Sequence, residues 1–233
     1  MTAGWTPGRL ARYIDHTLLA PDAPPAAVAR LAEEAAEHGF AAVCVPPAHV
    51  PLAAGILAGT AVRVGTVISF PLGYAHPAIR IAESLQAIAD GAVELDTVLN
   101  LSWLKGGEDG RVGDDLAGWA AALRAAQGGL TLKVIVETAL LDAAEKERAA
   151  HLVAASGADF VKTSTGFAKG GATVEDVALL TRAVQDRSGP GGRIGVKASG
   201  GIRDTATALA LIAAGAGRLG TSAGIALLRG LSD

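Results

Sequence analysis

Cysteine is nearly absent from this chain, as are tyrosine, long apolar runs and any surplus of charge of one sign. Cys44 is the only cysteine, so an internal disulfide is impossible and a cysteine-based zinc site lacks its ligands. A reducing cytoplasm is the compartment this suggests. The 20 Lys and Arg and 23 Asp and Glu leave a formal charge of −3 and are mixed along the sequence. That mixing excludes the sustained basic stripe that nucleic acid or an acidic membrane requires, so a small-molecule partner is expected. No apolar stretch approaches the roughly 18 residues of a membrane span. Met1 to Leu10 lacks the basic and apolar regions of a secretion signal. No Pro-, Gly- or Ser-rich linker divides the chain and no short repeat runs through it, so residues 1–233 are expected to form one domain.

What is present is core material: half of the 233 residues are hydrophobic. The length fits one α/β barrel, which typically takes about 250 residues. Short β-branched runs alternate with alanine-rich amphipathic segments, the pattern of βαβ units in a parallel sheet. Strands are expected at Ile14–Leu18, Ala41–Val45, Val62–Ser69, Val93–Leu99, Leu130–Glu137, Phe160–Ser164, Ile194–Ala198 and Arg218–Thr221. Helices are expected at Pro25–His38, Ala78–Asp90, Asp114–Ala126, Asp142–Ser156, Val174–Asp186 and Thr205–Ala214. Gly39, Gly91, Gly128, Gly157 and Gly215 stand where these helices should stop. Gly106–Gly113 and Ser188–Gly192 read as short connections. Periodicity alone leaves an open doubly wound sheet in play. Eight strands favour a (β/α)8 TIM barrel, with an additional helix before the first strand.

Polar residues inside strands buried on both faces need a reason. Val161-Lys162-Thr163-Ser164-Thr165-Gly166 and Val196-Lys197-Ala198-Ser199-Gly200-Gly201 each set a lysine in an apolar strand. An ammonium removed from water must be paired, deprotonated or both. A second cation nearby, with partial desolvation, favours the neutral amine that attacks a carbonyl carbon. The pair is therefore a candidate Schiff-base site. In Glu94-Leu95-Asp96-Thr97-Val98, alternation puts both carboxylates on one face, and Asp96 is the candidate proton carrier for carbinolamine formation and dehydration. A buried ion pair that only holds the barrel together is the competing reading of any one of the three residues. Their convergence from three strands weakens it.

Gly166, Gly200-Gly201 and Gly220-Thr221-Ser222 follow the last three strands, where barrels often hold a phosphate on backbone amides. A tight turn explains most single glycines at such places, but neighbouring sites together read as a phosphate cradle. Spacing alone makes Cys44 a small buried residue rather than a nucleophile. His16 is in a strand, while His38, His49, His76 and His151 lack metal-ligand spacing, so no metal is expected.

With these residues stand longer motifs: Asp15-His16-Thr17-Leu18-Leu19, Phe70-Pro71-Leu72-Gly73, Glu94-Leu95-Asp96, Lys133-Val134-Ile135-Val136-Glu137-Thr138, Ala158 to Phe167, and Val196 to Arg203. From about Tyr13 to Leu228 the chain resembles the deoxyribose-phosphate aldolases. The resemblance implies a class I aldolase of deoxyribonucleotide catabolism that needs no metal or organic cofactor. In it, Lys162 would form the Schiff base with acetaldehyde, Asp96 would relay protons, and Lys197 would perturb the nucleophile. Phosphate contacts would fall on Gly166, Gly200, Gly201 and Ser222, with Thr17, Cys44 and Arg203 lining the same pocket. The partners implied are small phosphorylated aldehydes.

Two departures stand out. Some members of that family end in a tail bearing a tyrosine linked to proton exchange, whereas here the sequence ends Leu231-Ser232-Asp233 and no tyrosine follows Tyr74. Proton delivery to the enamine is then expected from water. Phe167 stands where some relatives have a phosphate-holding lysine, so that contact comes from elsewhere or is absent. Competing functions are a class I aldolase of a 2-oxo acid, which needs a cation for the carboxylate, and a non-catalytic phosphate-binding barrel or sugar-phosphate isomerase with a structural Lys162. A homodimer is the assembly expected on general grounds.

Overall fold

All eight expected strands form, and in the computed structural model, which describes residues 4–185, 188–189 and 192–231, they close into one parallel barrel. A short helix, α1 (Pro7–Ala11), precedes β1 (Ile14–Thr17). There follow α2 (Pro25–His38), β2 (Ala42–Val45), α3 (Val50–Leu57), β3 (Arg63–Ile68), α4 (Pro77–Ala89), β4 (Glu94–Val98), α5 (Leu101–Lys105) and α6 (Asp109–Ala126). The second half comprises β5 (Thr131–Ile135), α7 (Ala143–Ala155), β6 (Phe160–Lys162), α8 (Val174–Val184), β7 (Gly195–Ser199), α9 (Thr205–Ala213), β8 (Ala216–Thr221) and α10 (Gly224–Arg229). Each strand pairs with its sequence neighbours, and β8 closes the ring on β1 through Ile14 beside Leu219. The fold is a (β/α)8 barrel with an additional N-terminal helix. No helix among the described residues is long and apolar enough to cross a membrane.

The helices arise from local chemistry. In α2, Val28, Leu31, Ala32 and Ala35 form one buried stripe, and Gly39 ends it in the left-handed conformation at φ 66°. Asp142 and Glu145 cap α7 reciprocally, and Thr173 and Asp204 cap α8 and α9 through side-chain oxygens. Helix-facing strand residues such as Val43, Leu95, Val134, Val161, Val196 and Leu219 join the apolar layer between barrel and helices. Burying each such side chain stabilises the fold by roughly 1.5–3 kcal/mol.

Several expectations are corrected. Residues 109–113 are the first turns of α6, not connection, although Gly110 and Gly113 lower helix propensity. Burial of Val112, Leu116, Trp119 and Leu123 against neighbouring elements outweighs that cost. The positive-φ glycine after α6 is Gly129 (φ 73°), not Gly128, because the helix ends through an extended Gln127. The short helices α3, α5 and α10 were not anticipated. Ser188–Gly189 pairs antiparallel with Gly192–Arg193 outside the barrel, so the expected connection there is partly a ladder. Asp186, Ser232 and Asp233 lie outside the described residues.

Candidate active site

Strand alternation drives charge into the barrel interior. With Leu95 turned to the helices, Glu94 and Asp96 both face inward, and Lys133 lies 2.7 Å from Glu94 Oε2 and 2.7 Å from Asp96 Oδ1. Lys162 Nζ donates to Asp96 Oδ2 at 2.8 Å and Lys197 Nζ donates to the same oxygen at 2.7 Å. Lys162 and Lys197 are register partners on adjacent strands, which explains their shared target. Lys197 also reaches Asp15 Oδ2 at 2.5 Å. Deeper in the barrel Arg218 bonds Asp15 through Nε at 2.7 Å and Glu94 Oε2 at 3.0 Å, and Arg63 donates to Glu94 Oε1 at 2.8 Å.

This arrangement has a charge imbalance. Three buried carboxylates, Asp15, Glu94 and Asp96, face four largely buried cations, Lys133, Lys162, Lys197 and Arg218. Among the described residues Lys162 pairs with a single carboxylate, and it shares that one with Lys197. Burial lowers the Lys162 pKa below its ordinary value; Asp96 pulls the other way, and the Lys197 charge adds to the lowering. Burial also disfavours charge on Lys197 and Lys133, but Asp15, Asp96 and Glu94 outweigh it and hold both above the ordinary lysine value. Asp96 goes the other way again: burial pushes it up, and the three lysines outweigh that and hold it well below. Of the three interior lysines, only Lys162 is biased towards the neutral amine.

Above this network, at the C-terminal ends of the strands, opens a cavity of about 440 Å³. Lys162 is in its wall with Thr17, Gly166, Gly200, Gly201, Arg203 and Ser222, so these sequence-predicted residues come together. Asp96 and Lys197 are not in the wall; they lie behind Lys162, buried. Cys44 is likewise buried outside the wall, and burial first, then Asp96, pushes its thiol up, which keeps it protonated. Phe167 lines the cavity edge-on to Phe70, with ring centroids 5.2 Å apart. A second cleft of about 540 Å³, lined by Tyr74, Trp103 and Arg111 among others, has no lysine in its lining and is separate from this chemistry.

Sequence reasoning did not single out Lys133, Asp15 or Arg218. The signal was available for Lys133, a charge between Leu132 and Val134 in an apolar strand like those of Lys162 and Lys197. Arg218 and Asp15 gave less warning, because Arg218 begins a strand as read from sequence and could equally have pointed to solvent.

A family model described as DeoC/LacD family aldolase matches residues 9–231. A deoxyribose-phosphate aldolase of Brevibacillus brevis is 50% identical over 219 residues, 94% of this chain and 95% of that one. Deoxyribose-phosphate aldolase 1 of Bacillus licheniformis is 50% identical over 224 residues, 96% of each chain. The solved deoxyribose-phosphate aldolase of Aeropyrum pernix, described as tetrameric, superposes with a TM-score of 0.88 at 33% identity, covering 98% of this chain and 93% of that one.

Proposed function

The chain belongs to the DeoC/LacD family of aldolases, and on that premise we propose that it is a class I aldolase interconverting 2-deoxy-D-ribose 5-phosphate with acetaldehyde and D-glyceraldehyde 3-phosphate. The observation that carries this reading is the placement of Lys162 in the cavity wall with its Nζ on the Asp96 oxygen that Lys197 also contacts.

In the cleavage direction the neutral Lys162 amine adds to C1 of the open-chain sugar phosphate, and the carbinolamine loses water to give an iminium ion. Removal of the C3 hydroxyl proton lets the C2–C3 bond break, its electron pair moving into the iminium as an enamine while glyceraldehyde 3-phosphate departs. Protonation at C2 and hydrolysis of the imine release acetaldehyde and return the amine. Asp96 fits the proton-carrier role because it contacts Lys162 directly. Burial first, and then the charge of Lys197 beside Lys162, keeps the nucleophile's pKa down. Water is the proton source proposed for the enamine.

The phosphate is assigned to Gly166, Gly200, Gly201 and Ser222, with Thr17 and Arg203 at the same cavity; α9 begins just beyond, its dipole favouring an anion. A single domain over 1–233, a homodimer and a cytoplasmic location complete the proposal. Incubation with 2-deoxyribose 5-phosphate and product analysis tests the reading: acetaldehyde and glyceraldehyde 3-phosphate are expected. Cleavage of a 2-oxo acid in their place would point to the other aldolase class, and no cleavage to a non-catalytic barrel.

A further inference from the structure

The ladder of β6 ends at Lys162, yet the chain from Thr163 to Phe167 must be held firmly if it is to shape the cavity. On one side Ser199 does this: its N–H donates to Thr163 Oγ1 at 3.1 Å and its hydroxyl to the Ser164 carbonyl at 2.6 Å. On the other side the chain after β5 continues the pairing, Val136 N–H donating to the Lys162 carbonyl and Thr138 N–H to the Thr163 carbonyl, both at 2.9 Å. Between them Glu137 is forced to φ 52°, a conformation that side-chain-bearing residues rarely adopt. Its carboxylate takes over where the backbone leaves off. Oε2 accepts the Thr165 N–H at 3.2 Å and the Thr165 hydroxyl in a short bond. Thr165 Oγ1 in turn accepts the Phe167 N–H at 3.1 Å, closing the turn over Gly166, which sits at φ 86°.

Glu137 is 3% exposed, and its second oxygen has no hydrogen-bond partner among the described residues. A buried carboxylate on a strained backbone with one oxygen unsatisfied is costly. Its visible bonds all run to Thr165, which lines the cavity together with Gly166 and Phe167. We infer that Glu137 is a positioning residue for the acceptor half of the cavity, fixing through Thr165 the turn against which the phosphorylated end of the substrate is held. It touches no reacting atom. The inference takes its substrate from the aldolase reading, and the arms of its test separate the two.

Thr165→Val removes the hydroxyl that donates to Glu137 and accepts from Phe167, and Thr165→Ser keeps it. For Thr165→Val, KM for 2-deoxyribose 5-phosphate should rise about tenfold or more while kcat stays within about threefold, since binding geometry and not the reacting centre is disturbed. Borohydride trapping of acetaldehyde, which carries no phosphate, should proceed at the wild-type rate, and inorganic phosphate, followed by phosphorus NMR line broadening, should bind correspondingly more weakly. Thr165→Ser should restore all of these values. Glu137→Gln, which keeps the side-chain shape but only one accepting oxygen, should move KM in the same direction by less.

Unchanged KM and unchanged phosphate binding in Thr165→Val overturn the inference. So does an equal loss of trapping and binding, which marks general damage, and so does a wild-type chain that fails to bind phosphate. A wild-type chain that acetaldehyde and borohydride leave unmodified refutes the aldolase reading instead, and the phosphate arm then still decides the role of Glu137.

Discussion

Lys162 Nζ stands 2.8 Å from Asp96 Oδ2, in contact with a carboxylate whose charge two other lysines already hold. The contact brings the amine close to a proton acceptor without giving it a counter-ion of its own. Among the described residues three interior carboxylates face Lys133, Lys162, Lys197 and Arg218, with Arg63 also on Glu94, so positive charge is in excess. Deprotonation of Lys162 reduces that excess.

Asp96→Asn should lower kcat about a hundredfold or more with little change in KM, because the lost step is proton transfer in the transition state. The substitution also leaves Lys133, Lys162 and Lys197 facing one another without their shared anion, so the fold should lose roughly 3–5 kcal/mol. Steady-state kinetics at a temperature where circular dichroism shows the variant folded checks this. A rise in KM alone would remove Asp96 from the chemistry.

Lys162→Met should destroy activity and stabilise the fold by about 1 kcal/mol at neutral pH, since an apolar chain replaces one of the cations in excess. The sign follows from the lowered pKa of Lys162. The cost of charging it is present below its folded value and fades as pH rises towards the ordinary 10.5. The advantage of the variant in urea midpoints should therefore shrink in alkaline buffer. A variant less stable than the wild type at neutral pH would show that Lys162 is a structural partner of Asp96.

Asp15 and Asp96 are both held below the ordinary carboxylate value of 3.8, burial opposing and the neighbouring cations prevailing. Groups lowered in this way stabilise the fold above their unfolded pKa, and that contribution is lost as pH falls below it towards the folded values. Stability should thus decline below about pH 4, by up to about 1.4 kcal/mol per pH unit for each carboxylate that takes up a proton. Asp96→Asn should flatten this acid limb by one proton. Denaturant unfolding across pH 2–6 measures the slope, and parallel limbs in variant and wild type would contradict the assignment.

The barrel was legible because short, largely apolar strands alternate with helices that carry caps and positive-φ glycines such as Gly39, Gly157 and Gly215. The helices that escaped notice, α3, α5 and α10, are short, and α3 is too uniformly apolar to show a polar face. The start of α6 was hidden by Gly110 and Gly113, where burial overrides local preference. At the site, Lys162, Asp96 and Lys197 could be read because a charge in an apolar strand has no other cheap explanation. The Glu137–Thr165 bond could not: it depends on a backbone angle that pattern and propensity do not encode. Nor does periodicity show that Asp15 and Arg218 meet, since they lie at opposite ends of the chain and touch only when the barrel closes.

In the proposed mechanism Lys162 is the amine that bonds to the aldehyde. Incubating the protein with acetaldehyde and borohydride at neutral pH, then locating the modified peptide by mass spectrometry, tests it directly. One ethyl group per chain is expected, on Lys162, and none in Lys162→Ala. An adduct on Lys197 or Lys133 with Lys162 unmodified, or undiminished trapping in Lys162→Ala, would contradict it.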